Sequence, residues 1–234
     1  MVDLGSTDFY FRILSLPRED LEAFSSELFD SWEARISHEV LLDDYALELE
    51  IEEGSVKGSA KVLAPLGALY LFISGYGSLF QGLQTMRSHI VLAGDYLAKK
   101  AHELLGPEKP APAVRKRSGN LGQIQRLFVR VQRREITAEE AMLEAERILG
   151  TEAATAPDFM ARLSESLREA PLQAQQLFLS SEGELCEPAN EEPPKMPGSR
   201  QPQPGPVIPS SNQFRVKIWR ESKRGKKHIT IVAI

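Results

Sequence analysis

The chain has 234 residues, of which 42% are apolar and 26% are charged, and its net charge at neutral pH is −5. This acidic balance argues against a protein that binds nucleic acid over its whole surface. The only cysteine, Cys186, excludes an intramolecular disulfide and a cysteine-based metal site within one chain. A reducing, cytoplasmic location is therefore expected.

The first part of the chain predicts a small sheet with one helix packed against it. The run DFYFRIL at 8–14 is typical of a strand, and apolar residues recur at helical spacing after Pro17. Residues 45–51 then alternate between apolar and polar, and after a turn at Gly54 a second alternating run covers 56–62. The sequence therefore predicts an N-terminal β-α-β-β unit.

The two strands of this hairpin carry opposite charges on one face. Glu48, Glu50 and Glu52 lie on the first strand, and Lys57 and Lys61 lie on the second. Opposed strands would set these side chains against each other as a cross-strand charge match. Clustered carboxylates can also hold a divalent cation, but the strict alternation and the nearby lysines favour a solvated sheet face.

An uncharged stretch runs from Val62 to Met86, and helical spacing predicts one long helix over 65–105. Its apolar residues recur every three and four positions, as in the seam of a coiled coil. A strip of small residues would let a second helix approach closely, and its glycines also permit a kink. We therefore predict self-association through Leu69, Ile73, Tyr76, Phe80 and Leu83 in the seam, with Gly75, Ser78 and Gly82 in the strip.

The rest of the chain is interpreted as smaller segments joined by linkers. Thr137 and Glu140 have the spacing of a capping box, and the string LFVRVQRREITAEEAMLEAERILG around them resembles the short two-helix tails common on bacterial proteins. The fold class predicted is α+β. The predicted division is an α+β domain at 1–106, a Pro-rich and basic linker at 107–120, a helical segment at 121–181, a disordered Pro-rich linker at 182–212 and a basic β-hairpin at 213–234.

The favoured function is a non-enzymatic scaffold or adaptor that forms a homo-oligomer through helix 65–105. Its C-terminal hairpin, tethered by a flexible linker, would be presented to a protein partner. One alternative is a membrane-associated effector whose helix 62–86 inserts, since that stretch exceeds the roughly 20 apolar residues a span needs. The proline, serines, glycines and tyrosines in the stretch bring the free energy of insertion near balance. The coiled-coil spacing of its apolar residues favours a protein core or oligomer seam instead.

A second alternative is an accessory nucleic-acid-binding protein that uses the basic hairpin against phosphates, with aromatic stacking. The simpler interpretations are a solvated turn or an edge strand that pairs with another sheet. The residues assigned to partner or nucleic-acid contact are Arg215, Lys217, Trp219, Arg220, Lys223, Arg224, Lys226 and Lys227.

No P-loop, dinucleotide-binding glycine motif, nucleophile elbow or Cys/His zinc pattern occurs in the sequence. The histidines at 38, 89 and 102 share no metal-ligand spacing. The sequence therefore favours a protein that is not an enzyme, and it nominates no catalytic residue, metal or cofactor.

Overall fold

The computed structural model describes residues 1–12, 16–53, 56–171 and 214–234, and all of these belong to one compact unit. The strands are β1 (Val2–Tyr10), β2 (Ala46–Glu52), β3 (Lys57–Ala64), β4 (Ala113–Arg117), β5 (Phe214–Arg220) and β6 (His228–Ala233). The helices are α1 (Arg18–Glu39), α2 (Leu66–Ser74), α3 (Leu79–Leu105), α4 (Gly119–Gln132), α5 (Ala138–Leu149), α6 (Glu152–Thr155) and α7 (Pro157–Arg168). The predicted α+β class is confirmed.

The strands form one antiparallel sheet in the order β4-β1-β3-β2-β5-β6. The predicted β2–β3 hairpin lies at its centre, and its register sets Glu48 opposite Lys61 and Glu52 opposite Lys57, as the alternation predicts. Strands β4 and β6 are the two edges of the sheet.

Helices α1, α3 and α4 pack against one face of this sheet. Alternate residues of β1, including Leu4, Thr7 and Phe9, are buried on that side. The packing is close, because a Cβ added to Gly94 of α3 would lie 2.1 Å from Thr7 Oγ1. The opposite face carries most of the charged residues of the strands, including Glu48, Glu50 and Glu52 of β2, and is called the open face below.

The predicted helix over 65–105 is two helices, α2 and α3, which meet at an angle of 112°. The break falls at the glycine-containing sequence 75–78. Ser78 has extended backbone angles, and its Oγ accepts a hydrogen bond from the Gln81 backbone N at 3.2 Å, which starts a new helix. Gly82 lets the two helices approach, since a Cβ there would lie 2.8 Å from Ile73 Cγ2. Local capping and close packing therefore override the continuous helical period.

The region after α3 packs on the same unit. Strand β4 lies within the predicted linker 107–120 and pairs with β1. The helices that follow contact α2 and α3 through aromatic pairs, with ring centroids 5.4 Å apart for Phe80 and Phe128 and 6.4 Å apart for Tyr70 and Phe159. The Thr137 capping box is confirmed.

Two further sequence predictions concern the first strand and the long linker. The first strand begins at Val2 and ends at Tyr10, earlier than the predicted 8–14, because its pairing with β3 continues to Ala64. The predicted linker 182–212 lies outside the described residues.

Candidate interaction surface of the C-terminal hairpin

The C-terminal hairpin is built into the sheet. β5 pairs antiparallel with β2, so that Arg215 lies opposite Glu52 and Trp219 lies opposite Glu48. The pairing continues beyond the strand, where the backbone N of Glu53 donates to the backbone O of Phe214 at 2.8 Å. The hairpin predicted from the sequence therefore supplies the fifth and sixth strands of the fold.

On the open face, cationic side chains of β5 form ion pairs with the three glutamates of β2, Glu48, Glu50 and Glu52. The guanidinium of Arg215 pairs with Glu50 at 2.9 Å and with Glu52, and the ammonium of Lys217 pairs with Glu48. The hydrogen bond to Glu48 raises the pKa of Lys217. Among the described residues, Glu48, Glu50 and Glu52 thus form their ion pairs with β5, although β3 presents Lys57 and Lys61 in register on the other side of β2.

The turn between β5 and β6 is attached to α1. Arg220 pairs with Glu33, and Lys227 Nζ donates to Asp30 Oδ1 at 2.6 Å and to Ser26 Oγ at 3.1 Å. These partners are about two hundred positions apart in the chain, so no local sequence pattern could have indicated the contacts.

The loop before β2 holds the same turn from the other side. The backbone N of Lys223 donates to Asp44 Oδ1 at 2.9 Å, and its Nζ donates to the Leu42 carbonyl oxygen at 2.9 Å. Because the turn is held by both α1 and this loop, the start of β6 is fixed relative to the core.

Burial perturbs two groups beneath the turn. Desolvation raises the pKa of Glu33, with the charge of Arg220 acting against it. Desolvation also raises the pKa of Tyr45, and the nearby charge of Glu33 adds to that effect. The Arg220–Glu33 ion pair that joins the hairpin to α1 is therefore largely buried from solvent.

Most of the residues assigned to partner or nucleic-acid contact are engaged within the chain. Besides the ion pairs above, Trp219 stacks on His228 with ring centroids 5.2 Å apart and an interplanar angle of 19°. Arg224 and Lys226 are exposed, and neither makes an ion pair or hydrogen bond within the described part of the chain. These two cations at the turn remain available to a partner.

The outer edge of the hairpin is strand β6, with the sequence HITIVA. Among the described residues no strand pairs with its second edge. Ile229 is 41% exposed and Val232 is 50% exposed, whereas Ile231 packs partly against the core. β6 thus combines β-branched residues and exposed apolar surface with an outer edge that no described strand covers.

The opposite edge of the sheet is different in chemistry. Strand β4 has the sequence AVRKR, with every residue exposed. Lys116 pairs with Asp95 of α3, and Arg117 pairs with Asp8 of β1 at 2.9 Å. Charged side chains, and lysine in particular, discourage edge-to-edge pairing. The sheet therefore has one charged edge and one edge whose only ionisable side chain is His228.

The residues predicted for helical self-association lie mostly inside the chain. Leu69, Ile73 and Leu83 are buried in the core of one molecule. Gly82 packs against Ile73, and Phe80 is half-buried against Phe128. The burial of the three seam residues is intramolecular, so a second chain could reach them only if this core opened.

The corner between α2 and α3 carries the remaining members of that set. Gly75 and Ser78 are exposed, and Tyr76 is half-buried with its ring 5.2 Å from that of Phe72. The role of the whole set in self-association stays a prediction.

Two other properties of the described chain bear on function. No group of three or more histidine, cysteine, aspartate or glutamate residues in the described ranges is arranged to hold a metal ion. Within those ranges, no single helix is long and apolar enough to cross a membrane. Helices α2 and α3 satisfy length and composition only when taken together across their 112° bend.

No family model, curated protein or solved structure matches the chain.

Proposed function

We propose that the chain is a non-enzymatic scaffold or adaptor that binds another polypeptide by strand addition at the outer edge of β6. The observation that carries this proposal is the contrast between the two edges of one sheet. The edge at β4 bears three cations in five residues, and the edge at β6 offers β-branched residues whose outer backbone groups pair with no strand in the described part of the chain. In strand addition, backbone hydrogen bonds provide affinity and alternate side chains provide specificity.

The anchoring of the hairpin supports this role. Ion pairs and hydrogen bonds hold β5 and the turn to β2, α1 and the loop before β2. A rigid edge loses little conformational entropy when a partner strand pairs with it, so more of the interaction energy appears as affinity.

The chemistry of the edge also describes the partner strand. Ile229 and Ile231 lie toward the helical side, and Thr230 and Val232 lie toward the open face. A partner strand would therefore carry apolar or β-branched residues on both faces. Arg224 and Lys226 at the neighbouring turn favour acidic residues beside that strand. The single cysteine in the sequence supports placing this binding in the cytoplasm.

A synthetic strand tests the proposal. We would titrate the full-length chain into a fluorescein-labelled peptide, TITVTDD, and follow fluorescence anisotropy. In antiparallel pairing with β6, the acidic end of this peptide lies beside the turn that carries Arg224 and Lys226. The edge variant carries Ile229→Lys and Val232→Lys, and the control is Val114→Lys, because Val114 has 41% exposure on the other edge strand. We expect saturable binding to the wild type and the control, with at least tenfold weaker binding to the edge variant, a loss of about 1.4 kcal/mol. Equal binding to all three proteins would refute strand addition at β6, and so would the absence of binding at concentrations where the wild type is a monomer.

A further inference from the structure

We infer that the strand which pairs with β6 is β6 of a second copy of this chain, in an antiparallel dimer with two-fold symmetry. The inference rests on the proposed function, because it uses the same edge and names its occupant. Two six-stranded sheets would then join into one continuous sheet.

Self-pairing of β6 keeps its side chains on their own faces. A two-fold axis through Ile231 sets Ile229 opposite Ala233 of the second copy, and Thr230 opposite Val232 of the second copy. Because both members of each pair lie an even number of residues apart, the helical-side residues meet each other and the open-face residues meet each other. β-branched and apolar cross-strand pairs of this kind stabilise a sheet.

The charge distribution of the chain also favours this edge for self-pairing. The one ionisable side chain of β6, His228, stands at its first position, so antiparallel pairing would place the two histidines at opposite ends of the joint. Those ends would be about 20 Å apart, beyond a Debye length of about 8 Å at physiological salt. Self-pairing of β4 would instead bring its three cations close to three others, which is destabilising.

The difference in charge between the β4 and β6 edges also explains why assembly would stop at a dimer. A two-fold interface uses one surface patch on both subunits and leaves no second copy of that patch free. The outer edges of the joined sheet would then be the two β4 strands, whose cations discourage further pairing. The exposed side chains of Ile229 and Val232 would be covered at the joint.

The solution mass tests the dimer directly. Size-exclusion chromatography with light scattering, run over a concentration series, should show the mass of the wild type and of the Val114→Lys control rising to twice that of one chain. The edge variant with Ile229→Lys and Val232→Lys should remain a monomer at every concentration. A wild-type monomer throughout the series, or a dimer that survives in the edge variant, would overturn the inference.

Hydrogen exchange followed by mass spectrometry gives a second test without mutation. If the edge variant fails to fold by circular dichroism, exchange of the wild type decides the matter. The amides of β6 should become more protected as protein concentration rises, while those of β4 should not change. Protection of β6 that stays constant over concentrations at which light scattering shows the mass changing from monomer to dimer would overturn self-pairing.

The two proposals fail separately. A wild-type chain that stays a monomer but binds the TITVTDD peptide at β6 would remove the dimer and leave the adaptor function in place. A monomer that binds no peptide would remove both.

Discussion

The contact between Gly58 and Phe9 gives a sensitive test of the central strands. Gly58 lies on β3 opposite Phe9 of β1, and a Cβ added there would lie 1.9 Å from Phe9 Cζ and 2.4 Å from each Cε. Carbon atoms in contact normally sit about 3.5–4.0 Å apart, so the ring would have to move by about 2 Å. Phe9 is 2% exposed and packs edge-on against Phe11 at 5.9 Å, which leaves it little room.

Gly58→Ala should therefore lower the free energy of unfolding by about 3 kcal/mol, at the upper end of the cost of overpacking a core. For a chain of this size the melting temperature should fall by about 6–12 °C. Urea unfolding followed by circular dichroism measures the change. Gly67→Ala is the matched control, because no heavy atom lies within 4 Å of a Cβ there, and we expect a gain of about 0.5 kcal/mol.

A double-mutant cycle separates the ring contact from a general effect on the strand. Phe9→Leu shortens the side chain that the new methyl group would meet. The double variant should be less destabilised than the sum of the two single changes by about 1–2 kcal/mol. If Gly58→Ala leaves stability unchanged, or if the two changes are simply additive, the proposed steric conflict does not exist.

Two further predictions concern pH and capping. Burial raises the pKa of Glu33, so between the ordinary and the raised value the folded chain holds a proton that the unfolded chain has lost. The free energy of unfolding therefore falls as pH rises through that interval, and Glu33→Gln should flatten this part of the profile in urea unfolding at a series of pH values. Parallel profiles would contradict the shift. Thr137→Ala breaks a capping box with Glu140 and should cost about 1 kcal/mol in urea unfolding, whereas Thr151→Ala, at a helix start without a side-chain cap bond, should cost less than about 0.5 kcal/mol. Equal losses would show that the cap bond contributes nothing.

Elements that depend on neighbouring residues were predictable from the sequence. The β2–β3 hairpin follows from period-two alternation, and its charge register was anticipated as well. The capping box at Thr137 follows from a three-residue spacing. The C-terminal hairpin was also predicted, because two β-type runs flank a short basic turn. In each case the signal and the structure it specifies lie within a few residues of each other.

The break in the long helix was only partly visible in the sequence. Glycines at 75 and 77 permit a kink, but the apolar period continues through them. The turn becomes favourable because Ser78 caps α3 and because Gly82 lets Ile73 pack closely. The second of these contacts exists only once the helices have folded against each other.

The sequence by itself determined the local elements of this protein: the alternating strands, the amphipathic first helix, the capped helix and the uncharged final strand. Tertiary structure alone decided that β5 lies beside β2 and that β4 forms one edge of the sheet. It also decided that Leu69, Ile73 and Leu83 are buried within one chain. The reason is that local patterns fix backbone conformation and the buried face of each element, whereas strand order depends on contacts such as Lys227 with Asp30, between residues 197 positions apart. The candidate edge at β6 arises from both, since its uncharged sequence is local and its place at the margin of the sheet is not.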